Sequence, residues 1–250
     1  MNQCDGFTGT LSIFIGWDPR EAEVADVCRH SILRRSDPAA LDIHYIKLSE
    51  LRERGLYSRP TEIRDGRLWD VISEAPMSTE FAISRFFVPI LAAQGGWAVF
   101  CDCDFLWRVD IRDLLARADA SKALMCVQHD HVPRETVKMD AQAQLRYARK
   151  NWSSMMLWNL EHPANARLTL EMLNSVPGRD LHRFCWLEDE EIGALPATWN
   201  WLEGTTDASI EPKVVHYTRG GPWFPEWSRV AYAELWLEER SHFRSKPASK

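Results

Sequence analysis

A short apolar run that ends in two aspartates restricts the fold of this chain more than any other feature. Residues 97–101 (WAVFC) are apolar at nearly every position, which is typical of a strand that is buried on both faces of a sheet. Asp102 and Asp104 follow directly, and residues at positions i and i+2 of an extended segment project to the same side. The run therefore predicts a central strand in an α/β fold, with two carboxylates at its carboxyl end.

The rest of the sequence alternates between strand-like and helix-like segments, as an α/β fold requires. Strands are predicted at residues 10–16, 41–48, 97–101, 124–127, 153–158 and 214–216. Helices are predicted after the capping residue Asp18, over 78–93, after Asp110, and near 140–150, 167–173, 188–192 and 225–240. Residues 49–77 have weak periodicity, and we expect a short helix and a long connection there. We predict one α/β domain over 1–250, with its core at 10–223 and a C-terminal helix and tail at 224–250.

Composition narrows the classes of partner. The 30 basic and 36 acidic residues give a net charge of -6, so no overall positive field favours nucleic acid as a partner. No apolar stretch approaches the ~20 residues of a membrane span, and no basic segment precedes residues 11–17 as in a signal peptide. The 6 cysteines show no CxxC spacing and are expected to be free thiols. The expected location is the cytoplasm, with no integral membrane segment.

Two segments far apart in the sequence contain groups that suit a divalent cation. Asp102 and Asp104 are hard oxygen ligands of the kind that Mg²⁺ or Mn²⁺ prefers, although a solvated turn after a strand is the alternative. Residues 213–223 (KVVHYTRGGPW) place His216 at the end of a strand, followed by a glycine pair that allows close approach to a phosphate. A lone histidine is more often structural, but together with the two aspartates it favours a metal site.

Six motifs in order resemble those of one enzyme family. They are IFIGWDPRE, STEFAISRFFVPIL, the aspartate strand WAVFCDCDFLW, NWSSMMLWN, LEDEEIG and HYTRGGPW. The chain resembles the GT-A nucleotide-sugar glycosyltransferases, and most closely family eight, which includes lipopolysaccharide galactosyltransferases and glycogenin. The resemblance spans residues 10–223 and implies a single Rossmann-like GT-A domain with a mixed central sheet flanked by helices. It also implies an enzyme that moves a hexose from a nucleoside diphosphate sugar, expected to be UDP-linked, to a glycan or glycolipid acceptor.

The resemblance further implies roles for individual residues in binding the metal and the donor. Asp102, Asp104 and His216 would bind Mn²⁺ or Mg²⁺, and Arg85 would act in catalysis and lie near the ribose, the phosphates or the donor sugar. The donor-binding candidates are Asp18 and Arg20 at the nucleobase, Ser153 and Ser154 under the donor sugar, and Arg85, Asp102, Cys103, Arg219, Gly221 and Trp223. A plain helix cap remains the alternative for Asp18.

Asp189 and Glu190 match the acidic pair that faces the donor sugar in the family, and they are the candidate catalytic carboxylates. The alternative is a solvated acidic face, because residues 188–191 are all acidic. The family commonly has an amide where Glu190 stands, so the stereochemical outcome stays open. The segment HYTRGGPW, residues 216–223, is called the late loop. It lacks the family's lysine before Pro222, and Arg219 or Lys213 is the candidate replacement.

Two other classes of protein remain as alternatives. A nucleotidyltransferase that acts on sugar phosphates shares the α/β sheet but usually has a glycine-rich basic loop after its first strand. A non-catalytic carbohydrate-binding domain would use tryptophans as platforms, and the chain has 12 of them. Trp199, Trp201 and Trp223 are the candidates for stacking against an acceptor. His129 and His131 are expected to be structural or to face the acceptor, rather than to form a second metal site.

Overall fold

A computed structural model of the chain describes residues 9–93, 95–129, 149 and 151–245. Of the expected helix at 140–150, only Arg149 belongs to the described residues, and His131 lies outside them. The strands are β1 (Leu11–Gly16), β2 (Leu41–Ile46), β3 (Thr61–Arg64), β4 (Arg67–Asp70), β5 (Ala75–Pro76), β6 (Trp97–Cys101), β7 (Phe105–Trp107), β8 (Leu124–Val127), β9 (Met155–Asn159), β10 (Ile192–Leu195), β11 (Trp201–Leu202) and β12 (Val214–His216). The helices are α1 (Ala22–Leu33), α2 (Leu48–Glu53), α3 (Phe81–Ser84), α4 (Val88–Leu91), α5 (Leu170–Ser175), α6 (Gly178–His182) and α7 (Ala233–Ser245).

The centre of the fold is a six-stranded mixed sheet with the strand order β10-β8-β9-β6-β1-β2. β1, β2 and β6 are mutually parallel, while β9 is antiparallel to both of its neighbours, β6 and β8. The buried run predicted at 97–101 is β6, near the middle of the sheet. The expected α/β fold with a mixed central sheet is confirmed.

Two small sheets extend this core. After β6 the chain leaves the central sheet, and β7 joins β11 and β12 in a three-stranded sheet. A second hydrophobic cluster lies between this sheet, α1 and α7, where Trp236 of α7 is fully buried. Glu239 of α7 is also buried and accepts a hydrogen bond from His30 Nδ1 of α1 at 2.6 Å. These contacts fasten the C-terminal helix to the first helix. No helix among the described residues is long and apolar enough to cross a membrane.

The segment predicted as one helix over 78–93 is broken in the structure. α3 and α4 are separated by a 3₁₀ turn at Arg85–Phe87. Pro89 lacks an N–H group, so the carbonyl of Arg85 has no donor four residues ahead, and the regular hydrogen-bond ladder is interrupted. Arg85, at the start of this turn, is buried.

The long connection expected over 49–77 contains the third sheet, which consists of β3, β4 and β5. Its hairpin turns at Asp65-Gly66, and both residues have positive φ, as this dipeptide in a tight hairpin turn favours. A buried ion pair closes the base of the hairpin: Arg59 Nε lies 3.0 Å from Asp70 Oδ1. Arg59 also donates to the carbonyls of Leu173 and Val176. The ion pair therefore ties the hairpin to α5.

The charges of this pair are mutually dependent. Burial by itself would raise the pKa of the Asp70 carboxyl, but hydrogen bonds from Arg59 and Ser73 outweigh burial and lower that pKa below its ordinary value. Asp70 is therefore ionised in the folded protein, and it is the only carboxylate that the described residues place against the Arg59 guanidinium.

We expect Asp70→Asn to lower the free energy of unfolding by about 3–5 kcal/mol, because it leaves the Arg59 charge buried without its counter-ion. Urea denaturation followed by circular dichroism measures the change. Glu62→Gln is the matched control, since it removes an exposed ion pair with Arg64 in the same hairpin and should cost less than about 1 kcal/mol. Equal losses for the two variants would contradict a dominant role for the buried pair.

Candidate functional site

One edge of the central sheet collects the groups that the sequence placed in separate motifs. The carboxyl ends of β1, β6, β8 and β10 point to this edge, and antiparallel β9 begins there. Ligands of open α/β sheets bind at such carboxyl ends. A cleft of about 490 Å³ lies here, and its lining includes Arg20, Glu21, Ser78, Thr79, Phe81, Arg85, Asp102, Asp104, His216, Tyr217, Thr218, Arg219, Gly220 and Phe224.

Strand pairing brings His216 to the two aspartates. β7 begins one residue after Asp104, and antiparallel β12 pairs with it so that His216 lies opposite Phe105. The rings of Phe105 and His216 stack with centroids 4.3 Å apart, and Tyr217 N donates to Asp104 O at 3.1 Å. One ligand atom from each of Asp102, Asp104 and His216 then lies within 4.8 Å of the others. The expected juxtaposition of these three residues is present.

Hydrogen bonds fix the orientation of the His216 ring. Ser154 Oγ donates its hydrogen to Asn151 O at 2.7 Å, so it accepts from Asn200 Nδ2 at 2.9 Å. Asn200 Oδ1 then faces His216 Nδ1 at 2.9 Å and can only accept. His216 Nδ1 therefore donates to Asn200 Oδ1, and Nε2 of the ring faces the carboxylates. Such a second layer of contacts is what orients a histidine ligand toward a metal.

The carboxylates meet the conditions of a cation site. Asp104 Oδ1 is buried and accepts no hydrogen bond from the described residues, while the buried Asp102 Oδ1 has Arg85 Nη1 at 2.9 Å. His216 Nε2 lies 3.3 Å from Asp104 Oδ1, so the ring nitrogen and the carboxylate oxygen face the same point. Two carboxylates and a neutral imidazole suit Mn²⁺ or Mg²⁺. The residues present therefore fit a divalent cation.

Burial changes the pKa of two carboxyls in the cleft. It raises the pKa of Asp102 to about 7, and the negative charge of Asp104 adds to the rise, while Arg85 opposes it. Burial also raises the pKa of Glu21 to about 7, again with a contribution from the charge of Asp104. Negative charge is thus concentrated where a cation would stabilise it.

Arg85 is the buried cation nearest this group. Its Nη1 lies 2.9 Å from Asp102 Oδ1 and donates to Ser153 O at 3.0 Å. The guanidinium also packs near the ring of Phe81. Arg85 lines the cleft, where the resemblance placed it.

Asp18 and Arg20 lie together at the mouth of the cleft. Asp18 is fully buried and accepts from the Arg20 backbone, the Arg20 guanidinium and Glu80 N. Each of its oxygens is therefore already used, and Asp18 does not line the cleft. The Arg20 side chain is 66% exposed and does line it, and its Nη2 donates to Ser78 O at 2.7 Å.

The late loop supplies Arg219 to the cleft. Arg219 Nη2 lies 2.7 Å from Glu203 Oε2, and the guanidinium lies so close to Gly204 that a Cβ there would collide with it. Lys213 instead lies over the ring of Trp199, 4.6 Å from its centroid, and is not part of the lining. Of the two candidate replacements for the missing lysine, only Arg219 lines the cleft.

Other predicted donor-binding residues lie behind the cleft surface. Cys103 is buried, with its Sγ 3.6 Å from Glu21 Oε2. Ser153 and Ser154 are also buried and support the site from below: Ser153 Oγ lies 2.7 Å from His182 Nδ1, and Asp102 N donates to Ser154 O. Burial and the charge of Arg85 lower the pKa of His182 to about 3, so its ring is neutral.

Gly221 and Trp223 also lie behind the lining of the late loop. A Cβ on Gly221 would lie 2.0 Å from the Trp223 ring, so the two residues pack together. The Trp223 ring contacts Tyr217 and Trp236 in the second hydrophobic cluster. Gly220, at φ +128°, is the glycine of this loop that lines the cleft.

The structure does not place Asp189 and Glu190 among the residues that line the cleft with Asp102, Asp104 and His216. Asp189 and Glu190 form a 3₁₀ turn just before β10, and parallel β8 and β10 both begin at the edge where β6 begins, away from Asp102. Lys122 Nζ, which precedes β8, donates to Glu190 O at 2.7 Å, and Asp189 is 86% exposed and paired with Arg149. Their assignment as donor-facing carboxylates has no support from this geometry.

Burial also changes the interpretation of the tryptophans. Trp199 and Trp201 are 1% and 4% exposed, so the expectation that they stack against an acceptor is wrong. They fill the core beside β12. Sequence reasoning missed two groups at the site, Glu21 and Asn200. Glu21 is the last residue of the IFIGWDPRE motif, at the start of a helix, where a glutamate commonly serves the helix itself, and no local pattern distinguishes Asn200.

Comparison with known proteins places the fold. No family model matches the sequence. Among solved structures, the chain is similar to the bifunctional glycosyltransferase WbbM, with a TM-score of 0.62 and 14% identity over 97% of this chain and 52% of that chain. It is also similar to the glycosyltransferase GlyE of Streptococcus pneumoniae TIGR4, with a TM-score of 0.59 and 14% identity over 93% of this chain and 60% of that chain. The chain thus spans little more than half the length of these two proteins.

A third solved structure is similar over nearly its whole length. It is the galactosyltransferase LgtC in complex with donor and acceptor sugar analogues, with a TM-score of 0.57 and 14% identity over 95% of this chain and 98% of that chain. The sequence of Protein CDI of Arabidopsis thaliana is 49% identical over 236 residues, which are 92% of this chain and 86% of that protein. The chain therefore has the GT-A fold of glycosyltransferases and belongs to the family of Protein CDI.

Proposed function

We propose that this protein is a metal-dependent glycosyltransferase that moves a hexose from a nucleoside diphosphate sugar, most simply UDP-linked, to a glycan or glycolipid acceptor. In this proposal the chain is a single GT-A domain with its catalytic core at 10–223. The observation that supports it best is the group formed by Asp102, Asp104 and His216 at the base of a 490 Å³ cleft. Cationic side chains border the same cleft, as a diphosphate requires.

Asp102, Asp104 and His216 would hold the cation, Mn²⁺ or Mg²⁺. When bound, the metal supplies Lewis-acid stabilisation of the leaving nucleoside diphosphate. Asn200 keeps Nε2 of the His216 ring directed at the site. The phosphate-binding role goes to Arg85 and Arg219, which both line the cleft and can donate charge-assisted hydrogen bonds to anionic oxygens.

The mouth of the cleft suits the nucleoside. Arg20 is held by the fully buried Asp18, so we assign the base contact to Arg20 and the positioning of its guanidinium to Asp18. Glu21 is the further carboxylate that lines the cleft, and it can accept hydrogen bonds from sugar hydroxyls. Together these residues orient the donor so that an acceptor hydroxyl can reach the anomeric carbon.

A panel of nucleotide sugars tests the proposed reaction. With Mn²⁺ present and no acceptor, we expect slow release of nucleoside diphosphate from one donor of the panel. Asp102→Asn/Asp104→Asn should lower that release at least about 100-fold, because metal stabilisation of the leaving group is worth several kcal/mol. Coupled detection of the released diphosphate measures the rate.

Asp113→Asn is the control for this experiment, since Asp113 is exposed in the turn after β7 and should leave release unchanged. Binding of saccharides without any metal-dependent binding of nucleotide sugars would instead identify a carbohydrate-binding domain. A nucleotidyltransferase would form a nucleotide sugar from a nucleoside triphosphate and a sugar phosphate in the same assay.

Asn200→Ala should weaken Mn²⁺ binding by about 10–100-fold while the protein remains folded, because the His216 ring loses the partner that orients it. Isothermal titration with Mn²⁺ in the presence of UDP measures the affinity. Asn200→Asp keeps an acceptor for His216 Nδ1 and should retain most of the affinity. Asn174→Ala removes an amide of α5 that donates to Leu56 O, outside the cleft lining, and should have no effect. Wild-type affinity in Asn200→Ala would refute the orienting role.

Arg219→Gln should raise the KM for the donor roughly tenfold, which corresponds to the loss of one charge-assisted hydrogen bond of about 1.5 kcal/mol. Lys213→Gln should leave KM unchanged, because Lys213 packs on Trp199 outside the cleft lining. Initial rates of diphosphate release over a range of donor concentrations give both values. An effect of Lys213→Gln as large as that of Arg219→Gln would show that the cleft lining does not decide which cation meets the phosphate.

A further inference from the structure

The cleft contains one exposed aromatic ring among the described residues that line it. Phe81, Tyr217 and Phe224 all belong to the lining. Phe81 and Tyr217 are buried, whereas Phe224 is 40% exposed. A flat apolar ring that is open to solvent within a polar cleft is the kind of surface against which the apolar face of a sugar packs. Phe224 is therefore the aromatic group of the cleft that a ligand can reach.

The exposure of Phe224 follows from the packing of its neighbour. The Trp223 ring packs against Tyr217 and Trp236 in the second hydrophobic cluster. Phe224 has extended backbone angles, with φ -101° and ψ 135°, and consecutive residues of an extended segment project to opposite sides. Because the Trp223 ring is directed into this cluster, the Phe224 ring lies on the outer side.

Hydrogen bonds before and after Phe224 fix its backbone. Phe224 N donates to Gly221 O at 3.0 Å, and Trp227 N donates to Phe224 O at 3.0 Å. At the start of the late loop, Tyr217 N donates to Asp104 O at 3.1 Å, which fastens the loop beside the two aspartates. A ligand would therefore find the Phe224 ring already positioned, which lowers the entropic cost of binding.

The late loop adds a polar side chain to the same lining. Thr218 is exposed and lines the cleft, and its hydroxyl makes no hydrogen bond with the described residues. A hydroxyl can both donate to and accept from the hydroxyls of a sugar. An aromatic surface with a small number of polar groups is the usual composition of a small-molecule site. Thr218 and Phe224 together suit a neutral sugar.

The late loop lies at the reacting end of the proposed donor site. His216 at its start is a proposed metal ligand, and Arg219 is a proposed phosphate contact, while the base contact is assigned to Arg20. The bond that breaks in glycosyl transfer joins the anomeric carbon to the diphosphate, so the acceptor has to enter beside the groups that bind the diphosphate. Phe224 follows the late loop directly and lines the same cleft, a position that serves the acceptor.

We propose that Phe224 is a specificity-determining residue that packs against the acceptor, and that the acceptor ends in a neutral pyranose sugar with a continuous face of C–H groups. Thr218 binds a hydroxyl of this sugar. The assignment of the sugar as the acceptor rests on the proposed glycosyltransferase function. The expectation of an aromatic platform for the acceptor thus passes from the buried tryptophans to a phenylalanine that the sequence did not single out.

Saturation-transfer NMR on the full chain, with Mn²⁺ and UDP present, tests this proposal. The probes are methyl β-D-glucopyranoside and methyl β-D-galactopyranoside. D-glucitol is the matched control ligand, because it is an open-chain polyol with hydroxyls but no ring face. We expect at least one glycoside to bind about ten times more tightly than D-glucitol, which corresponds to ~1.4 kcal/mol.

Substitutions of Phe224 distinguish ring stacking from general apolar contact. Phe224→Tyr keeps the ring and should keep the affinity for the glycoside. Phe224→Leu keeps apolar bulk without a flat face, and it should weaken glycoside binding roughly threefold to tenfold while the affinity for UDP stays the same. Leu235→Ala is the control variant and should change neither affinity, since Leu235 is 39% exposed in α7 and lies outside the cleft lining.

The affinity for UDP separates this proposal from the proposed function. UDP binding without glycoside binding, or with equal glycoside affinity in the wild type and Phe224→Leu, would overturn the acceptor contact alone. A matching loss of UDP affinity in Phe224→Leu would also overturn it, because the ring would then meet the nucleotide. Glycoside binding that depends on Phe224 in a chain that binds no UDP would refute the glycosyltransferase function, and with it the assignment of the sugar as acceptor.

Discussion

The pairing of β7 with β12 is the constraint on which the site depends. The two aspartates lie in the short link between β6 of the central sheet and β7 of the small sheet, and the register of β12 sets His216 opposite Phe105. A shift of this register by one residue would turn His216 to the other face of the small sheet. The stacked Phe105 ring and the buried valines of β12 hold the register. Residues separated by more than a hundred positions are thus brought to one point by a three-residue strand pair.

Buried polar groups form two sets of hydrogen bonds around Asp102, Asp104 and His216. On one side, Asn151, Ser154 and Asn200 form a chain of hydrogen bonds that ends on His216. On the other side, Ser153 joins His182 to Arg85, and Arg85 reaches Asp102. Adjacent serines on the turn before β9 therefore support opposite sides of the site. This explains the small residues at this position: they serve as hydrogen-bonding links below the cleft, and other groups form its surface.

Local patterns predicted much of the fold because they depend on interactions within a few residues. The buried run at β6, the Asp18 cap and the strands at 124–127 and 214–216 follow from hydrophobicity and capping alone. Pro89 explains the helix break after Arg85, and Asp65-Gly66 is a signal for the hairpin of β3 and β4. Both signals are present in the sequence. The prediction of one helix over 78–93 did not use Pro89, and the weak periodicity of 49–77 hid the hairpin. Asp189 and Glu190 show the limit of motif matching, because the same letters lie at the edge of the sheet away from the triad.

The sequence by itself determined the α/β class, the two aspartates at the end of a buried strand, and the presence of a loop with a histidine that is a candidate third ligand for a cation. Only the tertiary structure decided that Arg219 and not Lys213 lines the cleft, and that Asp18 accepts hydrogen bonds from Arg20. It also decided that Trp199 and Trp201 are core residues. Glu21 and Asn200 were added to the site by the structure alone. The physical reason is that a side chain's neighbours are set by strand register and by the partners that satisfy its hydrogen bonds. Both depend on residues far away in the sequence, while the hydrophobic pattern of a strand depends only on its own residues.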